Sequence, residues 1–163
     1  MVEQQSTGQP ISRWVLADLC EELHWRESYR YVSQFMATDL FTVRPDDIVD
    51  FAASLMDWRH VRHVPVEDND GRLVGLLSHR ALLRLVATGK AGGEHKVTVS
   101  EIMNKEPLTV GPESSTSQAI RLMREAGVAC LPVVEKDKLV GLVTEHDLIV
   151  VSSHLLERYL DDE

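Results

Sequence analysis

Gly141-Leu142-Val143-Thr144-Glu145-His146-Asp147 is the stretch whose reading decides the fold. An apolar run, Leu139 to Val143, stops at a threonine; an aspartate stands three residues on, and Leu148-Ile149-Val150-Val151 follows. That order predicts a buried strand turning at once into a helix, with Thr144 as the N-cap. A helix start leaves unpaired backbone N–H groups and a positive dipole end, which suits an anion such as phosphate. A hydroxyl at the turn and a carboxylate one helical turn further on can together hold a phosphate and a ribose diol. The same Thr-x-x-Asp spacing is also a capping box, which merely satisfies orphan donors. What weighs between the two is that the stretch occurs twice.

Gly75-Leu76-Leu77-Ser78 matches Gly141-Leu142-Val143-Thr144 at an offset of 66 residues. Upstream the offset is 67: Met36 pairs with Met103, Thr42-Val43 with Thr109-Val110, Pro45 with Pro112, Val61 with Val128, and Val64-Pro65-Val66 with Leu131-Pro132-Val133. The change falls at Glu67-Asp68-Asn69-Asp70-Gly71, a hairpin turn one residue longer than its counterpart. Turns are where length changes are tolerated, and an ordered set of matches marks an internal duplication.

Each copy reads as β-α-β-β-α. In the first, Phe41 to Val43 is a strand, and a helix starts at Arg44-Pro45-Asp46-Asp47 with the stripe Ile48, Val49, Ala52, Leu55 and Met56. Strands Val61–Val66 and Leu73–Ser78 and a helix from His79 to Val86 complete it. In the second, the matching elements are Leu108–Val110, a helix from Pro112 buried through Ala119, Leu122 and Met123, strands Leu131–Val134 and Leu139–Val143, and a helix from Glu145 to Tyr159. The organisation expected is a tail and amphipathic helix over residues 1–31, repeats over 32–88 and 97–155 joined by a linker over 89–96, and an acidic tail over 156–163. The N-terminal helix (Trp14, Val15, Leu19, Leu23, Trp25, Tyr29) stands outside the duplication and must bury its apolar face on the module, a twin copy or another protein. Neither repeat is large enough to be comfortable alone.

A chain of 163 residues, 44% hydrophobic and 26% charged, fits one globular unit. Its net charge of −9 argues against sequence-independent nucleic-acid binding, which needs a basic face. The two cysteines, Cys20 and Cys130, have no paired or metal-type spacing, which predicts a reducing compartment. The polar start lacks a signal-peptide core, and no apolar run reaches membrane-spanning length, so a cytoplasmic protein without a membrane partner is expected.

The ordered motifs Met36…Thr42-Val43-x-Pro45, Val64-Pro65-Val66 and Gly75-x-x-Ser78, with Met103…Thr109-Val110-x-Pro112, Leu131-Pro132-Val133 and Gly141-x-x-Thr144-x-x-Asp147, resemble a tandem pair of CBS domains, a Bateman module. The resemblance covers about Val32 to Leu155. It implies an α/β (α+β) fold of two repeats packed through their sheets with pseudo-two-fold symmetry. It also implies a regulatory sensor of energy or metabolites rather than a catalyst. Such pairs bind adenine nucleotides or adenosyl compounds between the repeats, often form homodimers, and usually regulate an enzyme, channel or transporter. AMP, ADP, ATP and S-adenosylmethionine are therefore the expected ligands, with no cofactor required. The regulated protein is unknown; the N-terminal helix is one route to it.

In the family the Asp of the Gly-x-x-Thr/Ser-x-x-Asp motif bonds the ribose and the Thr/Ser helps hold phosphate. The second repeat keeps both, as Asp147 and Thr144, whereas the first keeps Ser78 but has Ala81 at the Asp position. Losing a charged acceptor costs on the order of 1.5–3 kcal/mol, about ten- to a hundred-fold in affinity. One nucleotide in the second repeat's cleft is therefore expected. Its base would lie on Val128, Ala129, Cys130, Leu131 and Pro132 and near Thr109, its ribose on Asp147, and its phosphate near Thr144, Arg62 and His63, with His146 beside it. Arg recognises phosphate with a fork of donors. The bland readings are a surface Arg62 paired with an acid, a half-buried strand histidine at 63, and a small packed thiol at Cys130. Arg80, in a helix first turn, opposes the dipole, so it pairs with an acid or marks an anion. The alternative function is a ligand-independent interaction or dimerisation module. Metal sensing by His60, His63, His79, His95, His146 and His154 lacks zinc-ligand spacing, and no nucleophile–base–orienter set supports catalysis.

Overall fold

The computed structural model describes residues 28–90 and 96–161. The N-terminal tail and most of the expected amphipathic helix, His95 and the last two residues lie outside the described residues. The elements are a 3₁₀ turn (Val32–Gln34), α1 (Val49–Arg59), β1 (His63–Glu67), β2 (Leu73–Ser78), α2 (His79–Ala87), α3 (Val99–Ile102), α4 (Thr116–Ala126), β3 (Cys130–Glu135), β4 (Lys138–Thr144) and α5 (Glu145–Asp161). β1 and β2 form one antiparallel ladder, with His63 opposite Ser78. β3 and β4 form the other, with Cys130 opposite Thr144. The fold is the expected mixed α/β arrangement of two copies of one unit.

The hairpin turns follow their residues. In the first, Asp68 accepts from the amides of Asp70 and Arg72 at 2.9 Å each, and Gly71 takes φ +74°. In the second, Lys136 and Asp137 both have positive φ, as a two-residue hairpin turn demands.

The expected first strand of each repeat shrinks to one residue. Val43 makes a single parallel bridge to Val66, and Val110 one to Val133. The helices that follow start later than the Pro-led reading placed them, at Val49 and Thr116. The cause is the same in both copies. A short polar side chain folds back and closes a turn instead of opening a helix: the Arg44 amide donates to Asp47 Oδ2 at 2.7 Å, and the Gly111 amide to Ser114 Oγ at 3.1 Å. The carboxyl-terminal helix, by contrast, runs through the expected acidic tail to Asp161.

Those turns also stitch the repeats together. The carbonyls of Pro45 and Asp47 accept from the amides of Ser100 and Val99, while those of Pro112 and Ser114 accept from Ser33 and Val32, all at 2.9 Å. Each repeat thus lends its entry segment to the other. Fully buried Val32 lies in the core of the second sheet, with Val110, Ala119, Met123, Leu131, Val133 and Val143. Fully buried Val99 lies in the core of the first, with Val43, Ala52, Met56, Val64, Val66 and Leu77. Ala37 and Leu142 exchange backbone bonds at 2.9 and 3.0 Å, as do Asn104 and Leu76. The repeated glycines sit under this exchange: a Cβ on Gly75 would lie 2.5 Å from Met103 Sδ, and one on Gly141 2.4 Å from Met36 Sδ. Repeated Met and repeated Gly are the two halves of one contact, made twice across a pseudo-two-fold axis.

Candidate ligand-binding site

Both strand-to-helix turns are built as capped helix starts, but they carry different chemistry. In the second repeat, Asp147 Oδ2 accepts from the Thr144 amide at 2.8 Å and from the Thr144 hydroxyl at 2.7 Å. The Asp147 amide returns a bond of 3.4 Å to that hydroxyl. This is the capping box, and both of its bonds to the carboxylate fall on one oxygen. Among the described residues Oδ1 takes no hydrogen bond. The cap therefore orients the carboxylate through one oxygen, an arrangement that a capping box alone accounts for.

Asp147 shares the first turn of α5 with a second acid, Glu145, and no arginine or lysine stands at the turn. The Glu145 amide donates to the Ala129 carbonyl at 3.1 Å, which closes the turn against the strand entry. Cys130 is 3% exposed. Burial, and secondarily the Asp147 charge, pushes its thiol up to about 12. Cys130 is therefore an unreactive packed thiol beside Asp147.

At the first repeat's turn, Ser78 Oγ accepts from the Ala81 amide at 3.3 Å, half of the same box. The neighbours are cationic or titratable. The His79 amide donates to the Arg62 carbonyl at 2.9 Å, and the His63 and His79 rings meet edge to face at 6.3 Å. His63 is held below its ordinary value of 6.5, first by burial and then by His79, Arg62 and Arg80. Among the described residues no ion pair or side-chain hydrogen bond joins the Arg62 or Arg80 guanidinium to an acid. Four nitrogenous side chains thus converge on one helix start of an acidic chain.

The site residues named from sequence fall into three places. Asp147, Thr144, Cys130 and Ala129 come together at the second turn, with His146 exposed on the first turn of α5. Arg62 and His63 come together at the first turn, joined by His79 and Arg80. Among the described residues no hydrogen bond or ion pair links these two groups. Leu131 and Pro132 are fully buried strand residues, and Val128 packs on the second core. Thr109 is exposed on a shallow cleft of about 480 Å³ with Arg72, Leu73, Lys105, Glu106, Pro107, Val134 and Asp137, a surface that includes none of the turn residues. His79 was the residue the sequence reading left out of the site. Its signal was there, a histidine beginning a helix behind a Ser cap, next to Arg80.

The CBS domain profile matches residues 32–88 and again 99–154. The chain belongs to the CBS domain family. A CBS domain-containing protein of Dictyostelium discoideum is 35% identical over 138 residues, which is 77% of this chain and 93% of that protein. The inosine-5'-monophosphate dehydrogenase of Methanocaldococcus jannaschii is 28% identical over 130 residues, but these are 79% of this chain and only 25% of the enzyme. Among solved structures, that of CBSX2 in complex with AMP superposes with a TM-score of 0.69 at 29% identity, covering 77% of this chain and 98% of that one. The two CBS domains here account for both sheets and both capped turns. Among the described residues no helix is long and apolar enough to cross a membrane, and no cluster of His, Cys, Asp or Glu is arranged to hold a metal ion.

Proposed function

We propose that this chain is a non-catalytic regulatory module that binds an adenine nucleotide or adenosyl ligand between its two CBS domains. Asp147 and Thr144 hold the ribose end, and the cationic turn of the first domain (Arg62 and His63, extended by His79 and Arg80) takes the phosphates. The strand entry Val128 to Pro132, with Thr109 nearby, lines the base. The observation that carries this reading is the division of chemistry between the turns. Among the described residues, one offers a fixed carboxylate oxygen that takes no hydrogen bond, and the other offers guanidinium groups that pair with no acid. A ribose phosphate needs both. The similarity to CBSX2, whose structure holds AMP, supports the ligand class. AMP, ADP, ATP and S-adenosylmethionine all satisfy the ribose requirement. With this reading we also propose a homodimer that regulates a separate or fused protein in the cytoplasm.

A second reading, a ligand-independent interaction module, is favoured by one observation. Phe51 and Trp58, one heptad apart on α1, are 52% and 70% exposed, and Gln118 and Glu125 stand at their places in α4. A thermal-shift screen with AMP, ADP, ATP, S-adenosylmethionine and NAD separates the two. A ligand at a hundred times its dissociation constant adds about 2.7 kcal/mol of stability, several degrees for a chain of this size. A clear shift with one compound is the expected result; no shift with any of the five selects the interaction module.

A further inference from the structure

The turn between β2 and α2 gathers two imidazoles and two guanidinium groups. His63 begins β1 opposite Ser78, and His79 is the first residue of α2, directly behind the Ser78 cap. Their rings meet edge to face at 6.3 Å. The charged and titratable groups that act on His63 are His79, Arg62 and Arg80, with no carboxylate among them. The Arg62 carbonyl lies 3.4 Å from His79 Nδ1. A carbonyl only accepts, so Nδ1 carries the proton of that contact, and Nε2 is the nitrogen left to gain one.

The acids of the surrounding elements are otherwise placed. Helix α3 packs on α2 and β2, and its Glu101 carboxylate accepts from the Thr98 amide and hydroxyl at 2.8 and 3.1 Å. Helix α1 packs on α2 and β1 with its acids, Asp50 and Asp57, exposed. Glu145 and Asp147 of the second turn share no hydrogen bond or ion pair with either histidine among the described residues.

Such a cluster resists protonation while it stands alone. Burial, then His79, Arg62 and Arg80, hold His63 below its ordinary 6.5. A phosphate dianion set against the turn reverses the local field and favours the charged ring. Between the free and the ligated values the complex carries a proton that the free chain lacks, so affinity rises as pH falls. Two interacting rings titrate together, and that proton belongs to the pair.

We propose, on the reading that a phosphate occupies this turn, that the His63–His79 pair is a proton site of the pocket: the nucleotide binds with uptake of a proton from solvent. The module then responds to acidity and nucleotide together, more strongly at low pH than at high. Calorimetric titration of AMP into the intact chain at pH 7, in two buffers of different ionisation enthalpy, counts the protons taken up. About 0.5 proton or more per AMP is expected, which corresponds to about threefold or more in affinity per pH unit. The double variant His63→Gln with His79→Gln should take up none. The second proton of the AMP phosphate, with a pKa of about 6, works in the opposite direction and is common to both proteins. Binding without uptake in the intact chain, or uptake undiminished in the double variant, would overturn the proposal and leave the nucleotide reading standing. Failure of AMP, ADP and ATP alike to bind would remove the phosphate reading, and the proposal with it. Should the double variant fail to fold or to bind, the ring resonances of His63 and His79 in the intact chain decide. The NMR titration midpoint of at least one of them should move to higher pH when AMP binds, and unmoved midpoints would overturn the proposal.

Discussion

The two strand-to-helix turns share a backbone and invert each other's chemistry. Ser78 corresponds to Thr144, and both cap a helix. Around that common hydroxyl, the first repeat places Arg62, His63, His79 and Arg80 where the second has Ala129, Cys130, Glu145 and His146. At the residue that closes the box, the first has Ala81 and the second Asp147. The scaffold is duplicated faithfully because it is fixed by packing: the exchanged entry segments, the Met–Gly seats, the buried valines. The polar residues at the turns are under no such constraint, and they have diverged into a cation-rich end and a carboxylate end. A symmetric frame with asymmetric ends suits an asymmetric ligand.

The symmetric half of this comparison can be broken at the glycines. Gly75→Ala and Gly141→Ala each drive a Cβ into a Met sulfur and crowd a backbone carbonyl at 3.0 and 3.2 Å respectively. Each should cost about 1–3 kcal/mol in urea unfolding, by similar amounts. A cost at one glycine alone would mean that the two exchanges do not bear equal load.

The asymmetric half shows next in the caps. Thr144 makes hydrogen bonds through both its amide and its hydroxyl, whereas Ser78 only accepts one. Thr144→Ala should cost about 1–2 kcal/mol and Ser78→Ala about 0.5–1. Equal losses would show that Asp147 adds nothing to its cap. A smaller difference lies at the ends of α1 and α4, which both close on a left-handed residue, His60 at φ 54° and Gly127 at φ 64°. His60→Gly should stabilise the chain by about 0.5 kcal/mol, relieved strain being partly offset by unfolded-state entropy, and a melting curve reads it.

The pH response should come from the first turn. The fold holds His63 below its ordinary 6.5, so the neutral ring is the form the fold prefers. Below about pH 6.5 the unfolded chain binds the proton more readily than the folded one. His63's contribution is therefore complete above that pH and is lost as pH falls towards the folded value. His63→Gln should flatten this part of the stability profile between pH 7 and 5. An unchanged slope would place its origin elsewhere. Cys130, at the matching position, should stay unreactive to thiol reagents at pH 8 until the chain unfolds.

Much of this was legible in the sequence because the deciding patterns are local. Apolar runs ended by Ser78 or Thr144 located the paired strands and the helices after them, and the offset of 66 to 67 residues revealed the duplication. Helix starts were misplaced where a local signal had two outlets: Asp47 and Ser114 can open a helix or close a turn, and packing chose the turn. Helix α3 was missed although Thr98-x-x-Glu101 is a capping box, realised as a 2.8 Å bond from the Thr98 amide. The exchange of Val32 and Val99 between cores was hidden for a deeper reason: matched residues show that a contact occurs twice, not which copy supplies each side. At the turns, Asp147 and Thr144 stood out by spacing, while His79, legible as a histidine behind the Ser78 cap, gained its meaning when the fold set its ring against that of His63.

The central claim is that the carboxylate turn, not its cationic twin, carries the ribose. Calorimetric titration of AMP into the intact chain, Asp147→Ala and Ser78→Ala tests it directly. The account predicts one site per chain, an affinity loss of about ten- to a hundred-fold for Asp147→Ala, and a change of less than about twofold for Ser78→Ala. Equal losses in the two variants, or undiminished binding in Asp147→Ala, would contradict it.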